Sequence, residues 1–429
     1  MKKVWKWQKP GMDEYDRALC EHYGKMLGLE PGWEVNRVEL STQTMKLELG
    51  VEWVNAGAIC AKCGKKCTRH DLAPERRWRH LDAMGFETQI VSRTPRANCG
   101  EDGIHSMNVP WAGKHSRFTL AFEALAIKVL QACQSIKAAC ELLKINWEGA
   151  QAIMERAVKR GKERRVLHKL KAVGLDEKSF HRGQSYVSVL VDLEPGAPRI
   201  LDVCNGRKKE DAIELLKKLP EPARAGVEAV AMDMSTAYQG AAQAVLPKAE
   251  VVFDRFHISK LMGEAMDQVR REEHKKLLSK GDKRLVGTRY VWLYHPDELY
   301  KREKDPTRDR VFESLAFSRL RTARAYYYRL LFLEFWEQPD IESGQKFFTQ
   351  WYHEAKRSRL EPIKRVAETL KNHLHGLLTY FRHRITNAVT EALNGSIQAL
   401  KSAARGFRSF ENYRTRILFF LGRLDLHPQ

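Results

Sequence analysis

The sequence predicts a multidomain α+β protein, and three observations predict it. Cys60, Cys63 and Cys67 are bunched in one short stretch, CAKCGKKC, in a chain whose other cysteines are scattered. From Phe118 to about Arg160 the apolar period is helical and breaks twice, around Gln134 and at KIN (144–146). Beyond residue 166 the period changes to three strands, a helix, a strand, a helix and a strand, and then turns almost wholly helical from Ile258 to about Tyr380. The first observation points to a zinc finger and the second to a helix-turn-helix. The third is the order of a ribonuclease-H-like α/β catalytic domain interrupted by an all-helical insertion.

Size and charge are consistent with this. At 429 residues the chain is too long for one ordinary core. Its 74 Lys and Arg against 54 Asp and Glu leave a net charge of +20, which favours a polyanionic partner, nucleic acid before a membrane surface. No apolar run approaches the roughly 20 residues of a spanning helix, and MKKVWKWQ at the N-terminus lacks a signal-peptide core. The expectation is a cytoplasmic protein with no membrane partner. Eight cysteines, at 20, 60, 63, 67, 99, 133, 140 and 204, are too uneven for a disulfide framework. The bunch therefore reads as a metal site and the rest as core thiols.

Each domain follows from its local pattern. Residues 33–55 alternate apolar and polar on either side of STQT, a hairpin. With the cysteine cluster, the basic ERRWRHLD and TPRANCGEDGIHS, they make an N-terminal domain over 1–115. The helix-turn-helix takes 116–165, with Ser135 and Asn146 as N-caps. Its third helix, 147–160, is the one to enter the major groove: Glu148, Gln151 and Ala152 are placed near base edges, and Arg156, Lys159 and Arg160 near phosphate. Residues 156–171, with eight basic side chains and one acidic, read as a basic linker. The catalytic core then runs over 166–257 and 381–429, with 258–380 as the helical insertion. In this last stretch the aromatics of ARAYYYR read as core more than as a stacking surface.

Two aspartates occupy telling positions. Asp176 lies in the first strand of the α/β domain and Asp233 ends the fourth, and in that strand order the two strands lie side by side. Carboxylates on adjacent strands can hold Mg²⁺ or Mn²⁺, which prefer hard oxygen ligands and leave sites for water and phosphate. A third ligand should come from a helix after the insertion. Glu391 is placed for it, with Asn387 and Asn394 on the same helical face as hydrogen-bonding neighbours. Asp254 ends the fifth strand three residues before His257, so a helix starting there lets the two bond one turn apart. That pairing, and a plain N-cap role for Asp254, are both open from the sequence.

With these residues in view the chain resembles the ISL-three family of bacterial insertion-sequence DDE transposases. The motifs that carry the resemblance run nearly end to end: CAKC, RRWRHLD, VPWA, GLDEKSFHRGQSYV, AMDMSTAY, FDRFHISK, GTRYVWL, SRLEPIKRVA, TNAVTEALN and ARGF. The resemblance implies that Asp176, Asp233 and Glu391 form the acidic triad, and DRFH is similar to a C/D-x-x-H signature of several DDE families. It implies an enzyme that binds terminal inverted repeats, cuts them, and joins them to target DNA, acting as a homodimer near the bacterial nucleoid. The family usually completes its zinc site with a second close pair of cysteines. Here Cys99 is followed three residues later by Asp102, so His105 is the preferred fourth ligand beside Cys60, Cys63 and Cys99, with Asp102 and Cys67 as alternatives. The rival reading is a non-catalytic finger and helix-turn-helix regulator derived from a transposase.

Overall fold

In a computed structural model the described residues are 14–133, 135–167, 170–181, 185–293, 312–385 and 388–428. They divide into two compact units: Met1–Arg165 with Leu424–Gln429, and Val166–Arg423.

The first unit opens with α1 (Glu14–Leu27) and the hairpin β1 (Trp33–Ser41) and β2 (Lys46–Trp53). Their alternation buries Val35, Val38, Leu47, Leu49 and Val51 on one face. β3 (Ala58–Ile59), β4 (Lys66–Leu72), β5 (Arg76–Arg79), β6 (Glu87–Ser92), β7 (Pro95–Cys99) and β8 (Gly103–Ser106) follow. They form two four-stranded sheets, ordered β1-β2-β6-β5 and β3-β4-β7-β8. Trp33, Trp78 and Trp111 meet edge to face in the core between them, a geometry that suits the ring quadrupoles.

Three helices come next: α2 (Leu120–Ala132), α3 (Ile136–Leu143) and α4 (Trp147–Arg164). The expected caps form. Ser135 accepts from the Ala138 amide at 3.1 Å and Asn146 from the Gly149 amide at 2.8 Å. The basic linker expected from residue 156 does not begin there, because α4 continues to Arg164. Ala157, Val158 and Gly161 keep its buried face apolar, and the C-terminal residues cover it: the Arg160 guanidinium donates to the Leu426 carbonyl at 2.9 Å.

RRWRHLD anchors the first of these helices. Arg79 pairs with Asp82 and lies over the Phe122 ring, 4.9 Å from its centroid. His80 Nδ1 is 2.9 Å from the hydroxyl of Thr119, the N-cap of α2. Burial, with the Arg79 charge beside it, pulls the imidazole down to about 4, so it is neutral near pH 7.

In the second unit β9 (Ala172–Ser179), β10 (Tyr186–Asp192) and β11 (Arg199–Asn205) form an antiparallel meander. α5 (Lys209–Lys217), the short α6 (Glu221–Ala225), β12 (Ala229–Met232), α7 (Thr236–Val245) and β13 (Glu250–Phe253) follow. The sheet order is β11-β10-β9-β12-β13, with β12 parallel to both neighbours. α8 (Arg255–Leu278), α9 (Arg321–Leu333), α10 (Ile341–Arg357), α11 (Glu361–Asn372) and α12 (Leu374–His383) come next, then α13 (Ala388–Ala403) and α14 (Phe410–Leu421). One continuous core joins the sheet to α8–α12, from Val173 and Val230 to Trp336, Trp351 and Phe381. Tyr326 of ARAYYYR is buried in it, whereas Tyr327 is exposed. Among the described residues no helix is long and apolar enough to cross a membrane.

Candidate functional site

The sheet register places three aspartates side by side. In the parallel pairing Leu175 lies opposite Met232 and Met232 opposite Phe253. One residue further along each chain come Asp176, Asp233 and Asp254. Asp233 and Asp254 directly follow the carboxyl ends of β12 and β13, and Asp176 lies level with them inside the longer parallel neighbour β9. Successive chains are about 4.8 Å apart, and this is the side where open α/β sheets bind ligands. Side chains alternate across a strand. Val173 and Leu175 therefore go to the core, while Gly174 and Asp176 face the other way, toward α13. A Cβ on Gly174 would meet Thr390 Oγ1 at 3.4 Å, so the glycine lets α13 lie close over β9.

α13 completes the arrangement. Asn394 Nδ2 donates to Asp176 Oδ2, and Glu391, one turn earlier, is exposed. Asn387 lies outside the described residues. Asp233 Oδ1 accepts from the Ser235 amide at 3.0 Å, which fixes the carboxylate as the chain turns into α7. Burial raises the Asp233 carboxyl above its ordinary value, with the charges of Glu177 and Asp176 adding to it. Glu391 is raised too, by the partial desolvation of its otherwise exposed side chain and then by the charges of Asp254 and Asp176. A bound cation would relieve that repulsion. The oxygen donors suit Mg²⁺ or Mn²⁺, and their partial exposure leaves room for water and phosphate. They do not converge as tightly as the cysteine site. Among the described residues, the only set of three or more His, Cys, Asp and Glu with ligand atoms within 4.8 Å of one another is Cys60, Cys63, Cys99 and Asp102.

Asp254 does both things that the sequence left open. Its Oδ1 accepts from the Phe256 amide at 2.8 Å as the N-cap of α8, and its Oδ2 accepts from His257 Nδ1 at 2.5 Å. That bond raises the His257 pKa, outweighing burial, and the charges of Asp176 and Asp233 add to it.

In the finger, Asp102 and not His105 joins the three cysteines. The signal for it was present in the sequence as a repeat, CAKCG (60–64) and CGEDG (99–103). Gly64 and Gly103 each follow the second ligand position at positive φ, +73° and +77°, where a side chain would be strained. The first turn is closed by the Gly64 amide donating to the Cys60 carbonyl at 3.0 Å. In the second, the Asp102 and Glu101 amides draw the Cys99 thiol below its usual range, which favours the thiolate a metal needs. His105 pairs across the sheet with Ala97 and donates from Nε2 to the Asp102 carbonyl at 2.6 Å, so it braces the turn. Cys67 lies outside the group on β4. The separations suit zinc. A tetrahedral site with ordinary Zn–S and Zn–O bonds has edges of about 3.8 Å (S–S) and about 3.6 Å (S–O). Cys63 and Cys99 Sγ are 3.7 Å apart, and Asp102 Oδ2 is 3.4 Å from Cys60 Sγ and 3.8 Å from Cys99 Sγ.

Two of the expected phosphate contacts on α4 are turned inward. Glu123 is 1% exposed, and a buried carboxylate needs cations. Arg156 supplies one at 2.6 Å and Arg160 another at 3.7 Å. Gln151 is buried and bonds Glu155 at 3.0 Å. Lys159 remains exposed, as do Glu148 and Glu155.

Comparison with known proteins gives a consistent family. Residues 56–102 match the zinc finger of the transposases of IS204, IS1001, IS1096 and IS1165, a match that ends on Asp102. Residues 107–158 match the helix-turn-helix domain of transposase family ISL3, and 173–417 match the ISL3 branch of the DDE transposases. The chain is similar to the transposase for insertion sequence element IS1001 of Bordetella parapertussis, 28% identical over 94% of this chain and 97% of that one. It is also similar to the transposase for IS1557 of Mycobacterium tuberculosis, 27% identical over 82% of each. The last of the three domain matches alone covers more than half of the chain, and the chain belongs to the ISL3 family of insertion-sequence transposases.

Proposed function

We propose that this transposase binds the terminal inverted repeats of its own element and catalyses metal-dependent cleavage and strand transfer, with Asp176, Asp233 and Glu391 holding Mg²⁺ or Mn²⁺. The second unit is then a ribonuclease-H-like core, with 258–380 as a helical insertion between the second and third carboxylates. The observation that carries the reading is the row of Asp176, Asp233 and Asp254 at one sheet edge, closed over by α13 through the Asn394–Asp176 bond.

Each residue has a distinct task. Asn394 fixes the rotamer of Asp176, and the Ser235 amide that of Asp233. Asp254 orients His257 and ties the start of α8 to the sheet edge. When bound, the divalent ions supply Lewis-acid activation of the attacking oxygen, first of water and later of the freed 3′-OH, and stabilise the leaving oxygen. Zinc at Cys60, Cys63, Cys99 and Asp102 has a structural task, holding β3, β4, β7 and β8 together. Terminal inverted repeats, target DNA and a second copy of the chain in the synaptic complex are the partners. The test is to incubate the protein with its element's end DNA and Mg²⁺ or Mn²⁺ and map the nicks. Nicking at the element boundary supports the proposal. Binding without nicking under either ion overturns it in favour of a DNA-binding regulator.

A further inference from the structure

α8 starts at the candidate carboxylate site and leads away from it. Along it, α8 and α11 wall a groove of about 1120 Å³. Phe256, Lys260, Gly263 and Arg271 line it from α8 and Arg365 from α11. From Phe256 to Arg271 the helix advances about 22 Å, at roughly 1.5 Å per residue. One strand of duplex DNA presents a phosphate about every 3.4 Å of axis, so such a wall faces about six of them.

The groove's charge suits them. Lys260, Arg270, Arg271, Arg289, Arg329 and Arg365 line it, against Glu264 and Asp267. Asp267 is bonded to Arg270 at 2.8 Å and to Arg271 at 3.2 Å, which leaves a cationic excess. Arg365 is held toward α8 by Gln268 at 3.0 Å.

A second observation is independent of charge. A glycine inside a helix costs about 0.5–1 kcal/mol relative to alanine, so it needs a reason. For Gly149, Gly161, Gly240, Gly344 and Gly376 the reason is internal: a Cβ would meet a neighbour at 3.0 Å or closer. At Gly263 and Gly395 a Cβ would meet nothing within 4 Å. Gly395 follows Asn394 beside the carboxylates, and Gly263 lines the groove. Among the described residues, no atom from outside these helical turns comes within 4 Å of either Cβ position.

The geometry points to the α8–α11 groove as the track for the phosphate backbone of the element-end duplex beside the cleavage point, with Gly263 admitting the backbone closely. This rests on the reading that the second unit cleaves DNA. The element end is favoured over target DNA because it must stay held through both cleavage and joining, and the groove begins on the helix that carries His257.

The experiment measures equilibrium binding of full-length protein to a fluorescent duplex carrying its element's end, over a salt series without divalent ions. Gly263→Glu adds an anion at a position where a Cβ meets no described residue within 4 Å, and should weaken binding by about tenfold or more, with thermal melting unchanged or raised. Arg271→Ala and Arg365→Ala should each reduce the slope of log K against log salt by about 1. Wild-type affinity and slope in all three variants overturn the assignment. So does normal end binding with a loss only of joining to a target plasmid, which would give the groove to target DNA. Because no cleavage is read in the binding series, a protein that never nicks refutes the catalytic proposal separately from the groove.

Discussion

The cysteine finger and the carboxylate edge are both gathered from distant parts of the chain, but they are built in opposite ways. The finger takes its four donors from two copies of one short turn, and their atoms already lie within 4.8 Å of one another. The carboxylates come from a strand interior, a strand end and a late helix, and they stay further apart and partly solvated. Closure suits a structural metal, whose task ends when its ligands are filled. Openness suits a catalytic one, which must keep positions for water and a phosphodiester. Each site should therefore fail in its own way when a ligand is removed.

The largest effect is expected at the finger. Cys60→Ser should remove zinc, about one equivalent by metal analysis, and unfold the β3–β8 region, because small metal domains draw much of their folding free energy from the ion. Asp102→Ala should release the metal as well. His105→Ala should retain it with an affinity lower by about 10–100-fold, as expected for a residue that only supports a ligand. Zinc lost from His105→Ala but kept by Asp102→Ala would reverse the two roles.

At the open site the fold should survive and the chemistry should not. Asp176→Asn, Asp233→Asn and Glu391→Gln should each lower cleavage by about 10³-fold or more, several kcal/mol of lost transition-state stabilisation, with end binding nearly unchanged. Near-normal nicking by any one of them, measured with Mg²⁺, would remove that residue from the metal site.

A stability effect of similar kind to the finger's, but smaller, should come from pH. His80 is neutral in the fold, with its pKa drawn down to about 4 from an unfolded value near 6.5. Between those values the unfolded chain binds the extra proton, so the first unit loses stability as pH falls from 6.5 toward 4, by an amount on the order of 3 kcal/mol. His80→Gln should flatten that part of the profile in denaturant titrations at several pH values. An unchanged profile would assign the acid sensitivity to other groups.

The smallest expected effect tests how the open site is braced. Asp254→Ala and His257→Ala should each cut cleavage by about 10–100-fold, and the double variant should be little worse than either single, because both remove one hydrogen-bonded unit. Strict additivity would show that the two act independently.

Much of this was legible in the sequence because it rests on short-range physics. Ser135 and Asn146 cap helices through bonds to amides three residues on. Positive φ at Gly64 and Gly103 follows from two tight turns. The apolar runs before Asp176, Asp233 and Asp254 mark three strands, and the parallel register of β9, β12 and β13 brings the three aspartates to one level. Tertiary structure decided where side chains point when several partners compete. His105 and Asp102 are both reasonable ligands on paper. The cross-strand register places His105 opposite Ala97 and leaves the turn to Asp102. Arg156 and Arg160 read as phosphate contacts until the buried Glu123 claims them, and Arg160 also meets a carbonyl 266 residues away. Asn394 reaches Asp176 across 218 residues. Local sterics and capping are written within a few residues, whereas the cost of leaving a buried charge unpaired is settled only when remote segments meet.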